Sequence, residues 1–182
     1  MDRARRVAPR HRCGGRMSSL LSSLQADIKT HLASDAFFTP AAPEGGGDAD
    51  PAIAVLAENL QDIESSIAEA IAKIGICAIV LTPEGEQRSP NLPKIFFDGI
   101  QVRVRIVELV AVNRSTGGTL QPALLAAEAA AWGLHHFNPA SAGGAVMVFK
   151  RIARVDSESH LIYDAIFETK AGMSAAPQRV TS

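Results

Sequence analysis

The chain has 182 residues, of which 47% are hydrophobic and 20% charged, with a net charge of −1. These values fit one globular domain with extensions and give the whole chain no strong electrostatic preference. Two cysteines in unlike contexts, Cys13 in a basic stretch and Cys77 in an apolar run, argue against a disulfide framework, and no apolar run approaches the ~20 residues of a membrane helix.

The near-zero charge hides a split. Residues 1–16 hold six arginines (Arg3, Arg5, Arg6, Arg10, Arg12, Arg16) against Asp2, so the rest of the chain is acidic. This segment has no apolar periodicity, and no apolar stretch follows its positive start as a secretory signal requires. It reads as a disordered basic leader or as sequence upstream of a start at Met17. The competing reading is an arm that neutralises nucleic-acid phosphates.

From Met17 to Ala33 the residues Leu20, Leu21, Leu24, Ile28 and Leu32 form one helical stripe, with Ser18 or Ser19 as cap. Residues 41–50, with Gly45, Gly46 and Gly47, read as a flexible loop. A phosphate-cradling loop needs Lys and Ser or Thr after its last glycine, and Asp48 and Ala49 stand there instead. Asp50-Pro51 resembles a helix start. Ile53, Leu56, Leu60, Ile63, Ile67, Ile71 and Ile74 then step by three or four, so one long amphipathic helix is expected up to Gly75.

Ile76–Leu81 reads as a short buried strand. Pro83–Lys94 contains three prolines, Gly85, Glu84, Glu86 and Arg88, and reads as an exposed loop. At about twelve residues it exceeds the usual connection, which suggests a partner contact. A long strand follows over Phe96–Val112, in which Ile100, Val102, Val104 and Ile106 alternate with Gln101, Arg103 and Arg105. Glu108 breaks the alternation. Either a bulge near 106–108 or burial of both faces at that end would account for it.

An alanine-rich helix is expected over Leu120–Phe137, with Pro122 in its first turn and Trp132 and Phe137 as anchors. Asn138-Pro139 stops it. Ala145–Val155 and Leu161–Thr169 follow as strands around the turn 156–160, the second of them a candidate sheet edge. The expected fold is α+β: a single mixed or antiparallel sheet of about four strands packed by two to three helices, with a β-α-β-β core. It spans residues 17–172, and 173–182 read as a flexible tail.

Candidate chemistry is sparse. His135 and His136 are helical neighbours and point about 100° apart, so they do not share one metal face. Ser157, Ser159, His160 and Asp164 surround one hairpin without a glycine-framed serine elbow. Cys77 reads as a small buried hydrophobe. No cofactor site and no enzymatic activity are expected. Arg103 and Arg105 on one strand, and Lys150, Arg151 and Arg154 on another, read as a solvated outer face or as a basic surface for an acidic partner or nucleic acid. With Glu84, Glu86 and Arg88 they are the candidate interaction residues.

The order helix, short strand, long strand, alanine-rich helix, terminal hairpin resembles the tail terminator (tail completion) proteins of long-tailed phages. So do the segments GIQVRVRIVELVAVNR, TLQPALLAAEAAAWGLHHF and VMVFKRIARVDSESHLIYDAIFETKAG. The likeness covers residues 17–172 and rests on topology and texture, not on an exact motif. It implies a small α+β virion protein, assembled in the host cytoplasm. Such a protein forms a hexameric ring that caps the tail tube and joins it to the head. The implied partners are further copies of the chain, the tail-tube protein and a neck or head-completion protein, with DNA passing through the ring lumen. The family has no catalytic residues to transfer. The alternatives are another neck or tail structural protein, a nucleic-acid-binding protein, or a small hydrolase or thioesterase with a ligand-sized pocket.

Overall fold

A computed structural model describes residues 20–39, 53–59, 61–87, 95–115 and 122–173. The basic leader, Met17 with its serine caps, the glycine loop, Asp50-Pro51, Leu60, Arg88 with the rest of the loop to Lys94, and 174–182 lie outside these residues.

The alternation read from Ile100 to Ile106 produces the spine of the molecule, strand β4 (Ile95–Glu108). Val102, Val104 and Ile106 are fully buried on one face, while Gln101, Arg103 and Arg105 stand on the other. Helix α1 (Leu20–Ala33) precedes it, then strand β1 (Ala54–Ala57), helix α2 (Ile63–Lys73), strand β2 (Ile76–Val80) and strand β3 (Glu84–Gln87). After β4 come the short helix α3 (Val110–Asn113), helix α4 (Ala123–Leu134), and strands β5 (Val148–Val155) and β6 (Leu161–Met173). The sheet is a mixed one of six strands in the order β1-β2-β4-β6-β5, with β3 also paired to β4. The expected α+β class with one helix-packed sheet holds, and β1 and β3 are the additional strands.

β1 corrects the long helix expected from Pro51 to Ile74. Ala54–Ala57 pairs in parallel with Cys77–Val80, and α2 forms the crossover between the two strands. The run of Ile, Ala, Val and Leu fits both the helical and the strand period, so tertiary pairing decides. Only the second half of the run is helical. There Ile71 is buried, and Ile67 packs partly buried on the same cluster. Gly75 ends that helix with φ +82°, and a Cβ there would meet the Asn113 backbone N at 2.2 Å. Glycine is therefore required both by the left-handed backbone and by the close approach of α3.

β3 corrects the loop reading of Pro83–Lys94. Glu84–Gln87 pairs antiparallel with residues 97–101, on the same side of β4 that β2 occupies further along. A 14-residue strand offers more edge than the five residues of β2 can fill, and the chain turns back onto it after Pro83. The bulge also lies elsewhere than expected. Pairing of β4 with β2 and β6 is continuous through Glu108, and the register shifts between Phe97 and Ile100. Gly99, at φ +72°, supplies the left-handed residue that such a bulge uses.

β6 is not an edge. It pairs with β4 along one side and with β5 along the other, so among the described residues β5 is the edge strand. α1 and α4 cover one sheet face through Leu24, Ile28, Leu32, Ala126, Ala127, Ala130 and Leu134, which join Phe167 and the buried side of β4 in the main core. α2 covers the opposite face only at the β1–β2 end, over Cys77, Ile79 and Leu81. At this end both faces are apolar, which bears out the second of the two readings of Glu108.

Candidate assembly surface

Glu108 is fully buried on the main core face, where its carboxylate organises the start of α4. Oε2 accepts from the Ala123 backbone N–H at 2.8 Å, and Oε1 accepts from Asn113 Nδ2 at 3.0 Å and Arg114 Nε at 3.1 Å. A carboxylate at a helix N-terminus satisfies a free N–H and complements the helix dipole. Pro122 is accordingly the cap residue and not part of the first turn. His31 ties α1 to α4 and to the segment after it: its Nε2 hydrogen-bonds the Gly133 carbonyl at 2.9 Å, and its ring stacks on Phe137 with centroids 3.9 Å apart.

The outer face of β4, β6 and β5 carries Arg103, Arg105, Lys150 and Arg151 of the candidate interaction residues, whereas Arg154, opposite Tyr163, stands towards the other face. Arg105 binds Asp164 through Nε and an Nη at 2.8 and 2.9 Å. The hydrogen bond to Asp164 raises the Arg105 pKa above its ordinary value. Arg103 pairs with Glu84, and Lys150 with Glu168 at 2.8 Å. Between Arg103 and Arg151, in register with both, lies the buried Ile166. Long basic side chains cover such apolar surface with their stems. Glu86 lies on β3 by its backbone, and Arg88 is outside the described residues. The structure thus breaks the basic cluster into local ion pairs. Arg151 and Arg154 remain exposed on β5, without an ion pair among the described residues.

The hairpin residues do not form a nucleophile relay. Both oxygens of Asp164 face Arg105, while the Ser159 hydroxyl lies 2.7 Å from His160 Nδ1 in the exposed turn. The His135 and His136 rings lie with centroids 3.9 Å apart, tilted by 44° to each other. His135 Nδ1 accepts from the Phe149 N–H at 3.3 Å, and the His136 N–H donates to the Met147 carbonyl at 2.9 Å. Among the described residues no group of three metal-binding side chains gathers, and no helix is long and apolar enough to cross a membrane. Burial pushes the Cys77 thiol up to about 12. It is a packing residue, as expected.

Trp132 corrects the anchor reading: it is 83% exposed. The alanines of α4 face the sheet and allow a close approach, which turns Trp132 outward. Leu124 and Leu125 are also exposed on this helix. Leu125 and Trp132 lie two turns apart on one helical side, so α4 carries outward apolar surface as well as its core face. Beside it Ala131, Trp132, His135 and Phe149 line an apolar depression of about 270 Å³ at the start of β5. Sequence reasoning placed α4 but not its outward side, because a helix apolar nearly all round gives no directional signal.

Neither a protein-family model nor a curated protein sequence matches the chain.

Proposed function

We propose that the protein is a virion structural subunit of the tail-terminator kind, forming a ring that caps the tail tube and joins it to the head. The observation that carries this reading is the outward apolar surface of α4. Leu124, Leu125 and Trp132 are exposed on a helix whose other side already fills the core. Surface of that composition is characteristic of protein–protein contact, where aromatic residues anchor binding. The free edge of β5 beside it offers backbone donors and acceptors to another chain. The resemblance of residues 17–172 to tail terminators in element order and local texture supports a ring of six around a tube. The tail-tube protein and a head-completion protein would then be its neighbours, with DNA passing through the lumen.

The test is genetic and structural. Particles lacking the protein should carry tubes of unregulated length or tails not joined to heads. Tails of normal length, joined to heads in its absence, contradict the terminator role.

A further inference from the structure

We infer that the edge of β5 binds β3 of a second copy of this chain, head to tail, so that one sheet continues into the next. This rests on the assembly reading above and names its subunit contact.

The first observation is which part of the β5 edge is free. Before and at Phe149 the edge is already covered: Met147 exchanges backbone hydrogen bonds with His136 and Phe137, and the Phe149 N–H donates to His135. From Lys150 to Val155 the described residues place nothing against it. Phe149 turns its N–H away from β6, and past the register shift antiparallel alternation turns the backbone groups of Ile152 and Arg154 outward as well. A short strand laid there finds its partners preformed.

The second observation is charge. Arg151 and Arg154 are exposed along this edge, one towards each face of the sheet because they pair with Ile166 and Tyr163, and both lack an ion pair among the described residues. β3 is a four-residue strand, Glu84–Gln87, that among the described residues pairs only with β4, on the side of β4 away from β6 and β5. It carries Glu84 and Glu86, and the Glu84 side chain is two-thirds exposed although it touches Arg103. One edge is therefore basic and the other acidic. Identical edges repel each other, whereas the unlike pair attracts. The contact is heterologous, the kind that propagates and closes rings or builds filaments. A neighbour seated on β5 also reaches the depression formed by Trp132 and Phe149. Trp132 is the single tryptophan of the chain, so its emission reports this site alone.

The experiment uses the full chain and two charge-reversed variants. One is Arg151→Glu with Arg154→Glu. The other is Glu84→Lys with Glu86→Lys. Circular dichroism verifies that both fold, and sedimentation and tryptophan emission are followed against concentration. The parent chain should grow beyond its 19.2 kDa monomer mass as concentration rises, while its emission moves to shorter wavelength. Each variant alone should need at least about tenfold more protein to associate, because like charges then meet across the edge. An equal mixture of the two variants should regain association, since the acidic β5 of the first variant then meets the basic β3 of the second, and the basic β5 of the second meets the acidic β3 of the first.

A parent chain that sediments as a monomer up to about 1 mM overturns the inference. So do variants that associate as the parent does, or a mixture that fails to recover. A monomeric parent that instead binds duplex DNA through these arginines overturns it in favour of nucleic acid. The strand contact can fail while the protein still fixes tail length, and it can hold in a protein that never meets a tail. The two readings therefore fall separately.

Discussion

The two ends of the sheet are built differently. At the β1–β2 end, α1 and α4 lie on one face and α2 on the other, and Cys77, Ile79 and Leu81 face a second apolar cluster. At the β6–β5 end, among the described residues, only one face is covered by helices. The other carries Arg105–Asp164 and Lys150–Glu168, with Ile166 buried among longer side chains. The first end is made stable by burial on both sides. The second keeps a polar face and a free edge. The difference teaches that extra helix cover goes where the sheet is an interior, and that the bare end is where another chain can add.

The largest effect should come from the shared core beneath both ends. Phe167 is fully buried on the helix-covered face. Phe167→Ala should cost about 3–5 kcal/mol in chemical denaturation. A much smaller loss would mean that the core under the bare end is loosely packed.

Glu108 comes next. Glu108→Ala removes the acceptor of three donors, one of them the buried Ala123 N–H. It should destabilise by about 2–3 kcal/mol, and Glu108→Gln by less, because one acceptor oxygen is retained. Equal losses in the two variants would show that the charge, and not the hydrogen bonds, holds α4.

Cys77 sharpens the comparison through pH. Its thiol is held up to about 12 by burial, against an ordinary value of 9.0. Its contribution is therefore whole below pH 9 and falls as pH rises towards 12, because the unfolded thiol ionises first. The melting temperature should decline more steeply above pH 9 in the parent than in Cys77→Ala. Parallel declines would mean that the two-sided end is wetter than the geometry shows.

At the bare end the effects on stability should be the smallest. Lys150→Ala removes a half-exposed ion pair and should change stability by about 0–1 kcal/mol. A loss as large as that of Glu108→Ala would make this face structural instead of available for contact.

Much of the architecture was legible because it is local. The alternation of Ile100 to Ile106, the alanines of α4 and the polar turn at 156–160 each declare their element within a few residues. β1 was not legible, since its partner lies across a helix and its apolar run suits either period. β3 was hidden for another reason: Glu-Gly-Glu-Gln has no strand pattern of its own, and it is a strand because β4 offers it an edge. Glu108 looked like an error of register because its purpose depends on Ala123, fifteen residues on. The candidate surface was half legible. Arg103 and Arg105 were found as outer-face charges, but their partners Glu84 and Asp164 come from pairing that only the fold reveals. The exposure of Trp132 contradicted the usual expectation that a large aromatic side chain anchors a helix.

The most direct measurement is cryo-electron microscopy of tails assembled with this protein. The map should show a ring at the head-proximal end of the tube, with the β5 edge of each subunit paired to β3 of the next and Trp132 covered. A ring with both strand edges bare and Trp132 in solvent, or tubes that end without any ring, would contradict the account.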